Sequence, residues 1–569
     1  MTTKLTVAQA IARGLKRHGV EFIFAQSLPS AVILACEALG IHQIAYRQEN
    51  MGGCMADGYA RVSGKVSVVA AQNGPAATLL VAPLAEAFKA SVPIVALVQE
   101  VERNQADRNA FQEIDHTAVF ASCSKWTRKL ITADRVHDYL DAAFIAAASG
   151  RPGPAVLLLP ADVLREEVPA FVEPRKAGLG YWPLDRLQPS RALLDEVATQ
   201  IANAEHPVVM VGGGAVSLQA SEAVAKLQEM AHLPVFTTNM GKGAVAETHT
   251  LSCGVLGALV GPTALGKQTL PIYSDADLIV QIGTRNNQNG TDNWRNVSPT
   301  AKLVQIDIDP QELGRNYEAT RLVGDAASTV EALIEALSRC DLTKRKAQRA
   351  AVEQRIAVAW SAFEATRAPL LSDKGPLRPE RVMASLQRLI EPEDIIVADA
   401  SYSSMWVVGQ LRSQRAGSRF ITPRGLAGLG WGLPLSMGAK LAKPQSRVIA
   451  LVGDGGFAHS WAELETLTRM NIPVLVIVLN NGILGFQRDA ETVKFGSYTT
   501  ACHFHDVDHA AIARACGCQG WRVSDAAALD GTLAEWMHSP RAALLEVITD
   551  PEAHPPLSLF AGTLDKAEG

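Results

Sequence analysis

A carboxylate and an amide able to share one small cation stand at the ends of two apolar runs between residues 448 and 487. The run 448–452 leads into Gly453-Asp454-Gly455-Gly456, a helix-like stretch extends to Asn471, and the run 474–479 ends at Asn480-Asn481-Gly482-Ile483-Leu484-Gly485. Two strand-length runs around a helix read as a βαβ unit in a buried parallel sheet. Its right-handed crossover brings both C-terminal strand ends to one edge, on strands about 4.8 Å apart. Asp454 and Asn481 then converge. Oxygen ligands of low total charge suit Mg²⁺, which prefers about six oxygens and often shares them with a phosphate. Gly453, Gly455 and Gly456 let backbone come close, and the helix N-terminus after them offers N–H groups to an anion. The unit reads as an anchor for a metal and a diphosphate, with Leu484 and Gly485 in the same site.

The elements around this anchor fall into three α/β blocks, since 569 residues are too many for one core. Residues 1–165 carry strand-like runs at 22–24, 66–71, 94–98 and 155–159. Prolines at 160, 169, 174, 183 and 189 mark an exposed linker. Residues 190–340 carry runs at 208–211, 235–238, 278–282 and 303–308, and a charged helical linker covers about 340–370. Residues 379–550 carry 395–398, the anchor, and a last run at 543–548. The expected class is α/β, three domains with mostly parallel sheets. Lys4, Arg13, Lys16 and Arg17 with no acid before Gly19 also fit a transit peptide; we read the stretch as an amphipathic first helix.

Composition excludes several classes. A net charge of −5 gives no reason to expect nucleic acid. The richest apolar stretch, 68–85, is broken by Gln72, Asn73, Gly74 and Pro75, so no membrane span is expected. Eight scattered cysteines point to a reducing, cytoplasmic setting. His503, His505 and His509 with Cys502, Cys516 and Cys518 lack the spacing of a zinc site, and 508–515 reads as an ordinary helix ending at Gly517.

Gly453-Asp454-Gly455 closing on Asn481 resembles the cofactor motif of thiamine-diphosphate (ThDP) decarboxylases and synthases. The three-block layout extends that resemblance over nearly the whole chain, nearest to acetolactate synthases and benzoylformate decarboxylases. It implies that Asp454, Asn481 and the Ile483 carbonyl hold Mg²⁺, that the first domain binds the aminopyrimidine, and that the second is a spacer. The segment Arg47-Gln48-Glu49-Asn50 enters a helix where the family places a glutamate against a pyrimidine nitrogen. An acid is needed there because sharing a proton with that nitrogen favours the imino tautomer that generates the ylid. Glu49 and Asp454 lie in different blocks, so the resemblance implies a homodimer or homotetramer with active sites at subunit interfaces.

The same resemblance gives roles to further residues. Leu429 matches the apolar wedge between the cofactor rings, and the Ala427 carbonyl accepts from the pyrimidine amino group. Ser401-Tyr402-Ser403 stands where acetolactate synthases usually carry Gly-Gln-His; hydroxyls of Ser401 and Ser403 still donate to phosphate. Gln72-Asn73-Gly74-Pro75 and Phe111-Gln112 match loops facing the reacting carbon. The Gln72, Asn73 and Gln112 amides are expected to hold a carboxylate or an alkoxide there, with Pro75 against the cofactor; solvated loops are the other reading. Ala490 replaces a substrate-selecting tryptophan, so branched-chain biosynthesis is not assumed. Gly212-Gly213-Gly214, with Arg285 beyond another strand, suits FAD, ADP or CoA in the central domain, or marks a vestigial site.

The implied reaction is ThDP- and Mg²⁺-dependent decarboxylation or carboligation of a 2-oxo acid or related carbonyl, through a ylid and an enamine. A 2-hydroxyacyl-CoA or oxalyl-CoA lyase and a cyclic-diketone hydrolase are the alternatives using the same cofactor. Retention of Glu49 together with Asp454 and Asn481 opposes a non-catalytic nucleotide-binding protein.

Overall fold

The computed structural model describes residues 4–169 and 175–564; Met1 to Thr3 of the first-helix stretch and Pro174 of the expected linker lie outside them. The chain builds three six-stranded sheets whose strand pairs are all parallel. A separate antiparallel pair, Lys4–Thr6 with Glu167–Pro169, closes the start of the first domain onto its end. The first helix, Val7–Arg17, is capped by Thr6 and Gln9 and buries Val7, Ile11 and Leu15, as its pattern predicts. Among the described residues no helix is long and apolar enough to cross a membrane.

Counted within each sheet, the strand order is 2-1-3-4-6-5 in the first and third domains and 3-2-1-4-5-6 in the second. The order reverses in the first and third sheets where the last strand turns back inside the fifth, and once in each sheet elsewhere: between Phe22–Ala25 and Ser67–Ala71, between Pro207–Val211 and Leu278–Ile282, and between Ile395–Ala398 and Val448–Gly453. Connections leave in opposite directions there and open a crevice at the strand C-termini, where such sheets bind ligands.

The anchor strands Val448–Gly453 and Leu475–Asn480 are neighbours in parallel register, Gly453 opposite Leu479. The single helix expected between them is two short ones, Asp454–Phe457 and Glu463–Arg469. Turns closed by His459 N–H to Gly456 O, Ser460 N–H to Phe457 O and Glu463 N–H to Ser460 O separate them. Two adjacent glycines weaken the helix at its start, and the tighter turns re-aim the chain toward the first domain.

The outer domains share one core. Glu49–Ser63 and Gly432–Ala442, the helices following the second strand of each sheet, cross at Gly58 and Gly438. A Cβ on Gly58 would lie 2.1 Å from the Leu435 carbonyl oxygen, and one on Gly438 1.9 Å from that of Met55. Only glycine allows backbones that close. Met55, Tyr59, Leu435 and Met437 around the crossing join strand residues of both sheets in a continuous apolar cluster.

Candidate functional site

At the crevice of the third sheet three strand ends meet. Ile395–Ala398 delivers Asp399, Ser401 and Ser403; Val448–Gly453 delivers Asp454; Leu475–Asn480 delivers Asn481 and Ile483. Gly453 lies against Ser403, whose Oγ stands 3.6 Å from where a Gly453 Cβ would be. The Asp454 carboxylate accepts the Gly482 N–H at 3.1 Å, and the Asn481 Oδ1 accepts the Ile483 N–H at 3.2 Å. Burial pushes the Asp454 carboxyl up to about 6, against the backbone N–H groups of Gly455, Gly482 and Asn481. A buried carboxylate bonded to backbone N–H groups, with no basic side chain bonded to it among the described residues, fits a divalent cation.

Behind this loop stands a carboxylate the sequence reading missed. Glu546 is fully buried; its Oε1 accepts the Asn480 amide at 2.7 Å, and the Asn480 Oδ1 accepts the same Gly482 N–H at 3.1 Å. This chain fixes how Asn481 and Ile483 leave their strand. Leu484 donates its N–H to the Cys502 carbonyl and Phe504 donates its own to Gly482, so residues 502–504 lie across the loop. Tyr402, between the two serines, donates its phenol to Asp489 at 2.6 Å and packs on Phe486. Its hydroxyl is engaged within the chain.

The loop 423–431 is held by two buried acids. Asp399 accepts the N–H groups of Gly430, Trp431 and Gly432 at 2.9, 3.0 and 3.3 Å. Burial raises its pKa while those N–H groups oppose the rise. From the first domain, Glu86 accepts those of Gly425, Leu426 and Ala427 at 2.7, 2.5 and 3.2 Å. Ala427 sits at φ 62°, a left-handed conformation that costs an alanine about 1–3 kcal/mol and persists because Glu86 holds it. Leu429 presents its side chain 38% exposed. An acid spaced onto the buried side of Val81–Ala90 was the available signal for Glu86.

In the first domain Glu49 is half-buried and opens the helix Glu49–Ser63. The turn before it is pinned by Glu463, which accepts the N–H groups of Arg47 and Gln48 at 3.0 and 3.2 Å. The neighbouring Tyr46 phenol is pushed up by burial and then by the Glu49 charge. Gln72 donates to the Gln112 Oε1 at 2.7 Å. Asn73 donates to the carbonyls of Phe111 and Gln112, both at 3.2 Å, which engages its amide nitrogen; it fastens the loop instead of facing outward. Pro75 is exposed at the first position of Pro75–Leu79. The structure thus brings together Gln72, Asn73 and Gln112, and separately Asp454, Asn481, Ile483 and Ser403. Among the described residues no hydrogen bond or ion pair joins Glu49 to the Asp454 loop within one chain.

A cavity of about 230 Å³ lies elsewhere, at the crevice of the central sheet. Gly213, Gly214, Arg285 and Asp307 line it from the strand ends, with Arg424 from the third domain. Burial holds the Arg285 and Arg424 guanidinium groups below their ordinary range and pushes Asp307 up to about 6.

Comparison with known proteins matches three segments to thiamine pyrophosphate enzymes: residues 5–119 to the N-terminal TPP binding domain, 194–333 to the central domain, and 399–547 to the C-terminal TPP binding domain. A probable acetolactate synthase large subunit of Methanocaldococcus jannaschii is 31% identical over 98% of this chain and 94% of its own length. Acetolactate synthase of Mycobacterium bovis is 33% identical over 91% and 84%. The acetolactate synthase isozyme 3 large subunit of Escherichia coli K12 is 30% identical over 99% and 98%.

Proposed function

Because this chain belongs to the thiamine pyrophosphate enzyme family, we propose that it binds ThDP with Mg²⁺ to break and make carbon–carbon bonds beside the carbonyl of a 2-oxo acid. Its acetolactate-synthase-like relatives support the 2-oxo acid as the substrate class. The observation that carries the reading is the buried Asp454 carboxylate at the crevice beside Ser403 and the Asn481 loop. Asp454, Asn481 and the Ile483 carbonyl hold the cation. Ser401, Ser403 and the backbone of Gly453, Gly455 and Gly456 receive the diphosphate, with Leu484 and Gly485 completing the wall. Bound there, ThDP supplies a nucleophilic carbon and an electron sink.

Glu49 shares a proton with the pyrimidine nitrogen, and the Ala427 carbonyl orients the amino group beside Leu429. Gln72 and Gln112 retain free amide N–H groups for the substrate carboxylate or developing alkoxide. Because Glu49 and Asp454 belong to different domains and do not meet in one chain, the working unit is a homodimer or homotetramer. Exposed Phe111, Leu426, Leu429, Phe486 and Phe504 on the site loops support an apolar partner surface. The domain limits we propose are 1–165, 190–340 and 379–550. The central cavity, lined by Arg285 and Arg424 with Asp307 at a strand end, suits a nucleotide such as FAD or ADP.

Mass-spectrometric trapping tests the reading: protein with ThDP and Mg²⁺ is given a panel of 2-oxo acids, diketones and acyl-CoA thioesters. A cofactor adduct from a 2-oxo acid is expected. Adducts from thioesters or diketones alone would overturn the substrate class.

A further inference from the structure

Behind the Gln72-Asn73-Gly74-Pro75 turn lies a buried histidine. His116 is 1% exposed and opens the short helix His116–Phe120. Its Nε2 lies 2.8 Å from the Gly74 nitrogen, and its Nδ1 lies 2.8 Å from the Glu100 Oε1. A backbone N–H only donates, so Nε2 must present a lone pair; the ring proton then sits on Nδ1 and goes to Glu100. The other oxygen of Glu100 meets the Lys129 ammonium at 3.0 Å, which keeps that carboxylate an acceptor. Asp115, next to His116, is occupied capping the helix through the Ala118 N–H.

The turn needs such a hold. Gly74 has φ 67° and ψ −120°, and a Cβ there would lie 2.7 Å from the Gln112 Cβ. Gln112 is itself at φ 60°. Gly74 takes its conformation freely as a glycine, whereas Gln112 at positive φ is strained and stays in place when surrounding bonds over-determine it. The bonds at the turn include Gln72 to Gln112, Asn73 to the carbonyls of Phe111 and Gln112, Thr78 N–H and Oγ1 to the carbonyls of Gly74 and Pro75, and Gly74 N–H to His116. The last ties the turn, through His116, to Glu100 at the end of the strand Ile94–Glu100.

We propose that His116 is a positioning residue: Glu100 fixes its Nδ1–H tautomer, Nε2 holds the Gly74 N–H, and the Gln72 and Gln112 amides are thereby aimed at the substrate. The identity of that substrate rests on the ThDP reading; the tautomer does not. An Nε2–H ring, or an imidazolium, would set a donor against a donor and release the turn.

Selective ¹⁵N-histidine labelling of the full chain without cofactor tests this, with the His116 signal assigned by its loss in His116→Gln. A neutral, Nδ1-protonated ring is expected, and Glu100→Gln is expected to yield a mixture of tautomers. An Nε2-protonated or charged ring at neutral pH overturns the proposal. On activity, His116→Phe is expected to lose about 100-fold in kcat/KM with ThDP affinity unchanged, the scale of a small misplacement of positioning groups. His116→Gln, whose side-chain oxygen still accepts, is expected to recover most of that loss; equal losses in the two variants overturn the proposal. If the native chain turns over no carbonyl substrate, the proposed function fails while the NMR result still decides the role of His116. The same measurement stands if His116→Phe does not fold.

Discussion

The loop after Ser67–Ala71 and the loop after Val448–Gly453 occupy the same place in two sheets of the same strand order. Each leaves a third strand, beside the crevice where the order reverses, and each is completed by the segment following the fourth strand. In the first domain those segments bring three amides together, Gln72, Asn73 and Gln112. In the third domain they bring a carboxylate to an Asn-Gly turn, Asp454 with Asn481 and Gly482. The fold supplies the position and side chains choose the sign of what binds. Amide N–H groups suit an anionic or alkoxide oxygen, and a buried carboxylate suits a cation. Helices Glu49–Ser63 and Gly432–Ala442 repeat the correspondence, since both follow a second strand and they cross through Gly58 and Gly438.

The comparison breaks first at Glu49. Glu49→Gln is expected to fold normally and to lose about 10²–10⁴-fold in turnover, the range for a positioned proton-transfer group. Steady-state kinetics beside a far-UV dichroism spectrum measures both, and unchanged turnover removes the assignment.

Asp454→Asn sharpens the contrast between the two loops. Its Mg²⁺-dependent ThDP affinity, read by calorimetry, is expected to fall about 100-fold or more, since a metal ligand matters at least as much as the outer-shell groups behind it. In native protein a proton competes with the cation, so that affinity should also fall as pH drops below about 6. Without metal the sign for stability is opposite. The folded carboxyl sits at about 6, above its ordinary 3.8, so the folded state binds the proton more tightly. The contribution of this group to stability is then greatest at low pH and declines as pH rises from about 4 to about 6, by up to about 3 kcal/mol. Asp454→Asn removes that decline, and metal-free melts across pH will show it.

Gln112→Asn addresses the amide loop while tolerating the positive φ. A loss of about 100-fold in kcat/KM with ThDP affinity unchanged is expected, comparable to deleting one oxyanion donor. Equal losses of affinity and turnover would erase the division of labour between the loops. Gly438→Ala probes the crossing beneath both: overpacking there is expected to destabilise the chain by about 1–3 kcal/mol in denaturant titrations.

What the sequence reveals divides along the sheets. All four inner strands of each sheet are legible as apolar runs, because parallel strands covered on both faces must be apolar throughout. In the three parallel sheets the six strands it hides are the edges: His42–Ile44, Trp126–Lys129, Ser252–Val255, Thr320–Val323, Arg419–Ile421 and Gln519–Val523. Several carry charge, such as Arg128, Lys129, Arg321, Arg419 and Arg522, as edge strands commonly do, and so leave no apolar run. The site divides similarly. Asp454 and Asn481 are legible because their spacing follows one βαβ unit. Glu463, Glu546 and His116 are not, because each acts on backbone or side chains distant in sequence, and only the fold brings them there; Glu86 shows as an acid on a buried helix face, without the loop it holds.

Calorimetric titration of the full chain with ThDP, with and without Mg²⁺, and again with Asp454→Asn, tests the central claim most directly. Tight binding by the native chain only when Mg²⁺ is present, and its loss in the variant, is the expected result. Binding that ignores both the cation and the substitution would contradict the account.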